Sequence, residues 1–175
     1  MQKQNRHMLF EQAVLPHLDS AYNLARWLTR NEQDAEDLVQ EAYLRAFKFF
    51  DSFHGTDSRP WLLTIVRNTW YTWLHQKRVY EFVTPFDDEL YMTSDDSSDP
   101  EELVVRIADT EVLRGALEAL PGEFREVIIL RELEGLSYKE IAGITHVPLG
   151  TVMSRLARAR KRLQHYLIAQ KAKEL

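Results

Sequence analysis

The chain has 175 residues, 45% hydrophobic and 28% charged, enough to bury one medium core or two small ones. It contains no cysteine, which excludes disulfides and thiolate metal sites and fits a reducing cytoplasm. No apolar run approaches the roughly 20 residues that span a bilayer, and "MQKQNRHMLFEQAV" lacks the apolar stretch of a signal peptide. The net charge of −5 is unevenly spread: residues 1–80 carry ten Lys/Arg against nine Asp/Glu, 81–110 one against ten, and 111–175 eleven against eight. Residues 151–173 hold seven basic side chains and no acid. A local basic strip on a mildly acidic chain is compatible with phosphate binding at that end.

In residues 10–30, Leu15, Leu18, Tyr22, Ala25 and Leu28 fall three and four apart, which predicts a helix. The next stretch, "NEQDAEDLVQEAYLRAFKFF", opens with Asn31 as N-cap and acids in the first turn. Its apolar face is expected to bury Ala35, Leu38, Ala42 and one of Phe49 and Phe50. Turn formers follow in "DSFHGTDSRP", with Pro60 suited to the first turn of a helix running to about Val79. The β-branched content of "LLTIV" could suit a strand, but its helical neighbours favour helix. The acidic, Ser/Asp-rich segment 84–102 reads as a linker. Beyond it come four helical stretches, punctuated by "LPGE" and "LEGLS". No alternating strand pattern occurs, so the fold class is all-α: two small helical domains, 1–82 and 105–175, joined by an acidic linker, 83–104.

The last two helices form a specific pattern. Ser137 is a good N-cap with Glu140 three residues on, the spacing of a capping box. "YKEIAGI" then meets "THVP", and a new helix starts near Pro148. Ile141, Ile144, Val147, Val152 and Leu156 supply internal apolar positions, matching a helix-turn-helix. Val152, Leu156, Ala159 and Leu163 share the inward face, which leaves Thr151, Ser154, Arg155, Arg158 and Lys161 where a DNA groove could meet them. An ordinary hairpin with a solvated basic face would share the charge run, but not the cap, tight turn and acid-free second helix together.

"DAEDLVQEAYLRAFKFFDSFHG…RPWLLTIVRNTWYTWLHQKR", the acidic linker and "LPGEFREVIILRELEGLSYKEIAGITHVPLGTVMSRLARARKRL" together resemble an extracytoplasmic-function (ECF, group four) sigma factor of the sigma-70 family. The resemblance covers roughly residues 10–167 in the family's order. It implies a transcription initiation factor with no catalysis and no cofactor or metal. Its partners would be core RNA polymerase (the largest-subunit clamp helices and the flap region), promoter DNA, and an anti-sigma factor. Localisation would be cytoplasmic, with an anti-sigma factor able to hold it at the inner membrane face.

By the same resemblance, Asp34, Asp37, Leu38, Gln40 and Glu41 dock on polymerase. Their acidic stripe suits a basic partner. The −10 element would be met by His54, Asp57, Ser58, Asn68, Tyr71, His75, Lys77 and Arg78, where aromatics interleave with cations. The −35 element would be met by Thr151, Met153, Ser154, Arg155, Ala157, Arg158 and Lys161. The chain departs from the family's pattern in three places. "LHQKR" offers only Lys77 and Arg78 where a run of arginines is common, an Asp frequent near Thr72 is absent, and His146 stands where Gly is frequent. If residue 146 needs φ > 0, His tolerates it at modest cost.

Other readings explain less. A sigma-like decoy that titrates an anti-sigma factor need not retain Arg155, Arg158, Arg160, Lys161 and Arg162. A dimeric repressor leaves "DAEDLVQE" and the aromatic helix unexplained. The six histidines are scattered, with neither HExxH spacing nor a Gly-rich phosphate loop, so nothing points to an enzyme or a small-molecule substrate.

Overall fold

The computed structural model describes residues 1–80 and 110–174, apart from the side chains of Arg78, Val79 and Tyr80; the expected linker lies outside the described residues. Every regular element among the described residues is helical. The first half holds α1 (Gln2–Val14), a 3₁₀ turn (Leu15–His17), α2 (Leu18–Thr29), α3 (Glu32–Phe49), a second 3₁₀ turn (Phe50–Ser52) and α4 (Ser58–Tyr80). The second half holds α5 (Thr110–Ala119), α6 (Gly122–Ile128) continued by a π-helical turn (Ile129–Leu133), α7 (Tyr138–Thr145) and α8 (Leu149–Lys173). Among the described residues no helix is long and apolar enough to cross a membrane.

Local signals set most boundaries. Asn31 caps α3, its side chain accepting from the Asp34 amide. The Ser137–Glu140 capping box opens α7 with both hydrogen bonds formed. Gly135 ends the preceding turn at φ +66°, in the left-handed region that favours glycine. Asp57 accepts from the Arg59 amide at 3.0 Å, covering an orphan donor at the start of α4. Gly115 is small enough for Tyr166 of α8 to pack against α5: a Cβ there would lie 3.2 Å from the Tyr166 hydroxyl.

One detail departs from the sequence expectations and two make them more specific. The single helix expected through Leu15 breaks there, because Pro16 has no N–H and its ring opposes the ladder of the preceding turn. The break re-phases α2, so Ala21, Leu24, Ala25 and Leu28 are buried while Leu15 and Tyr22 are exposed. Of the two phenylalanines ending α3, Phe50 packs on Phe10, Phe53 and Trp61 while Phe49 is exposed. Finally, Pro148 caps α8 from outside, and the helix begins one residue later.

The buried residues form one continuous apolar cluster rather than two separate cores. It runs from Phe10, Leu24, Leu38 and Leu62 through Leu117, Phe124 and Ile129 to Ile141 and Leu156. Helix α2 packs on α6, and α4 packs on α7, so the two halves share a boundary.

Candidate nucleic-acid interface

The helix-turn-helix is built from α7, its turn and α8. Its turn requires a left-handed residue. His146 adopts φ 58° and its N–H reaches the Ala142 carbonyl, satisfying the end of α7. Val152, Leu156 and Ala159 are buried and Leu163 packs against the core, as their spacing predicts. The opposite side of α8 presents Met153, Ser154, Ala157, Arg158 and Lys161 to solvent, with Thr151 half-buried. This is an exposed strip of small polar, apolar and cationic groups, the mix that meets base edges and phosphates.

Not every arginine of α8 serves that strip. Arg160 pairs with Glu132 at 2.8 Å, and that hydrogen bond, ahead of the opposing effect of burial, raises its pKa. Arg162 lies over the Phe124 ring, 5.1 Å from its centroid. Arg155 is half-buried and turned toward Glu123 at 3.5 Å.

Helix α4 carries the second expected DNA face. Asn68, His75 and Lys77 are exposed, while Tyr71 is half-buried under the Arg67 guanidinium, 4.3 Å from its centroid. Trp61, Trp70 and Trp73 all pack against the core, consistent with aromatics at helical spacing being mostly structural. In the preceding loop His54 and Asp57 are exposed. Ser58 is buried and donates to the Ala13 carbonyl, so its side chain ties the loop to α1 rather than facing outward. The side chain of Arg78 lies outside the described residues.

On α3, Asp34, Asp37 and Gln40 are exposed in one line along the helix. Leu38 is fully buried beneath them and belongs to the core, because its position in the 3.6-residue repeat faces α2 and α4. Glu41 is held on two sides: it accepts from the Trp73 indole N–H and pairs with Arg45 at 2.9 Å.

The region 2 model of the sigma-70 family matches residues 13–79, and the region 4 model matches residues 110–163. The ECF RNA polymerase sigma factor SigE of Mycolicibacterium smegmatis is 35% identical over 159 residues, 90% of this chain and 61% of the relative, so the chain spans under two thirds of that protein. The ECF RNA polymerase sigma-E factor of Escherichia coli strain K12 is 35% identical over 139 residues, covering 75% of this chain and 73% of the relative. The chain belongs to the ECF sigma factors. Among solved structures, RpoE of Bartonella quintana in complex with the anti-sigma factor NepR has a TM-score of 0.72 at 32% identity, covering 90% of this chain and 96% of that one. CnrH in complex with the cytosolic domain of CnrY has a TM-score of 0.59 at 25% identity, covering 90% and 86%. ECF sigma factors are transcription initiation factors, not enzymes.

Six residues that sequence reasoning missed lie where the two halves of this sigma factor meet. Arg67 of α4 donates to both carboxylate oxygens of Glu126 in α6, at 2.8 and 3.1 Å. Asn23 of α2 donates to Glu134 at 3.0 Å, and Arg59 lies 3.6 Å from the same carboxylate. Arg125 is buried and donates to the carbonyls of Leu117, Glu118 and Leu120 and, across the boundary, of Trp27. A guanidinium here meets the partial negative charge of two helix C-termini. The only sequence signal was a charged pair, Arg125–Glu126, inside the apolar run "FREVIIL".

Proposed function

We propose that this chain binds core RNA polymerase and directs it to promoters, with α8 in the major groove of the −35 element and the α4 half capturing melted −10 bases. The observation that carries this reading is the exposed strip Met153, Ser154, Ala157, Arg158 and Lys161 on an acid-free helix, set behind a capped helix and a left-handed turn. Asp34, Asp37 and Gln40 form the polymerase-docking surface, with Glu41 oriented beside them by Trp73 and Arg45. His54, Asp57, Asn68, Tyr71, His75, Lys77 and Arg78 meet the opened strand. Melting is driven by binding: bases held outside the stack offset the loss of pairing. The likeness to two sigma factors solved with anti-sigma partners supports a restraining protein of that kind for this chain, acting in the cytoplasm or at the inner membrane face.

Run-off transcription tests this reading: core polymerase lacking any sigma factor, this protein, and genomic fragments from its host. Discrete transcripts that depend on the protein are expected. Neither transcript nor core binding would favour a decoy that titrates an anti-sigma factor.

A further inference from the structure

Helix α8 carries an apolar line on its DNA side that its packing does not use. Leu149, Met153 and Ala157 recur every four residues, which sets them one above another on the helix surface. Leu149 is 45% and Met153 47% exposed, and Ala157 is exposed as well. None of the three belongs to the apolar cluster that Val152, Leu156 and Ala159 join. Single apolar side chains scattered on a surface need no explanation. A continuous line beside Arg158 and Lys161, on the side expected to face a groove, does.

The chemistry of base edges narrows what this line can meet. In the major groove adenine is held by Asn or Gln, cytosine by Asp or Glu, guanine by Arg or Lys, and the thymine methyl by apolar contact. From Leu149 to Leu163 the helix has no Asn, Gln, Asp or Glu. Thr151 and Ser154 add short hydroxyls, and Ser154 already donates its own to the Thr151 carbonyl at 3.0 Å. α8 therefore lacks both the amides that read adenine and the carboxylates that read cytosine. It offers apolar surface with cations next to it. From residue 149 to 157 the helix rises about 12 Å, which matches roughly 3.5 base pairs of about 3.4 Å each.

We propose that Leu149, Met153 and Ala157 read thymine methyls, so that the −35 element presents thymines to this line and a guanine beside them to Arg158. The inference rests on the DNA-reading assignment above and names the bases that this site accepts. A methyl group that leaves water against a side chain gives sequence preference without a hydrogen bond. Met153, at the centre, has a flexible chain and a polarizable sulfur, which let it follow methyls whose spacing a stiffer side chain would miss. The cations flanking the line favour a polyanion as the occupant over an apolar protein surface.

The test uses the protein bound to core RNA polymerase. Random-sequence duplexes long enough for both elements are selected for binding and sequenced, and an enriched duplex is remade with deoxyuridine at each upstream thymine in turn. Deoxyuridine removes the methyl and keeps the pairing. At equal salt, affinity is expected to fall about fourfold for each thymine that faces the line, the effect of one methyl group returned to water. Met153→Gln sets an amide at the centre of the line, and circular dichroism reports that the variant is folded. Its deoxyuridine penalty should shrink, and adenine should replace thymine at one position while the guanine is kept. An enriched upstream element that binds equally well with deoxyuridine overturns the proposal and leaves the initiation reading standing. So does a Met153→Gln variant with the full thymine preference. Should that variant lose polymerase rather than base preference, the line meets protein and the proposal falls. Absence of any enriched element would be a failure of the initiation reading itself, and the proposal would fall with it.

Discussion

Trp73 donates its indole N–H to Glu41, joining the helix expected to meet melted DNA to the helix expected to meet polymerase. An aromatic and an acid that sequence alone would assign to two different partners are thus engaged with each other. Trp73→Phe keeps most of the packing but leaves the half-buried Glu41 carboxylate with Arg45 as its remaining side-chain partner. A hydrogen bond to a charged group contributes about 1.5–3 kcal/mol, and the partial exposure of Glu41 places the expected loss of stability near the lower end. Urea denaturation measures it; an unchanged midpoint would mean the contact does not hold in solution.

Arg158 stands free of the internal ion pairs that engage Arg155 and Arg160. Arg158→Ala is expected to weaken specific promoter binding by about 1–3 kcal/mol, the value of a good base contact. Competition between a promoter and a scrambled duplex distinguishes this from a phosphate contact, which would weaken both equally and lower the salt dependence by about one ion.

Asp37→Ala removes one charge from the line Asp34, Asp37 and Gln40 without touching the core. Slower association with core polymerase is expected, with the difference fading at high salt, because exposed charges act mainly on encounter. Equal association rates for the variant and wild type at low salt would remove Asp37 from the docking surface.

Arg125 serves stability rather than recognition. Arg125→Met retains much of the volume but leaves the Leu120 carbonyl without its guanidinium donor, and the carbonyls of Leu117 and Glu118 with only the Leu120 N–H and Arg30, respectively. A buried unsatisfied acceptor costs about 1–3 kcal/mol, so a loss in the upper part of that range is expected, the weakened carbonyls of Leu117 and Glu118 adding to that of Leu120. Thermal unfolding at fixed protein concentration reads the effect.

Tyr71 gives the boundary between halves an alkaline limit. Burial first, then the negative charge of Glu126, pushes its hydroxyl from 10.0 up to about 12, against the positive charges of Arg67 and Arg155. The folded chain therefore keeps the proton where the unfolded chain releases it. The associated stability is fully present below pH 10.0 and is lost as pH rises toward about 12. Urea midpoints of wild type should fall more steeply over that range than those of Tyr71→Phe. Parallel curves would place the Tyr71 hydroxyl in water.

Sequence by itself determined the elements and their ends. Asn31, the Ser137–Glu140 box, Gly135 and the 3.6-residue spacing of Val152, Leu156 and Ala159 act over one or two helical turns, so each could be read from neighbours along the chain. The same locality exposed the strip at Met153, Ser154, Arg158 and Lys161, once the inward face of α8 was known. Pro16 was equally local in effect, yet the apolar spacing on both sides of it looked continuous and hid the change of phase.

Only the tertiary structure decided which polar groups remain available. That Leu38 and Ser58 are buried, that Glu41 belongs to Trp73, and that Glu126 faces Arg67 all depend on contacts between residues 32 to 59 positions apart, or on packing from several helices. The physical reason is desolvation. A charged side chain in an apolar run is either a solvated interruption or half of a buried pair, and the partner that decides between them lies on another helix. The joining of the two halves into one apolar cluster has the same origin, since each helix specifies its own apolar face but not which helix will cover it.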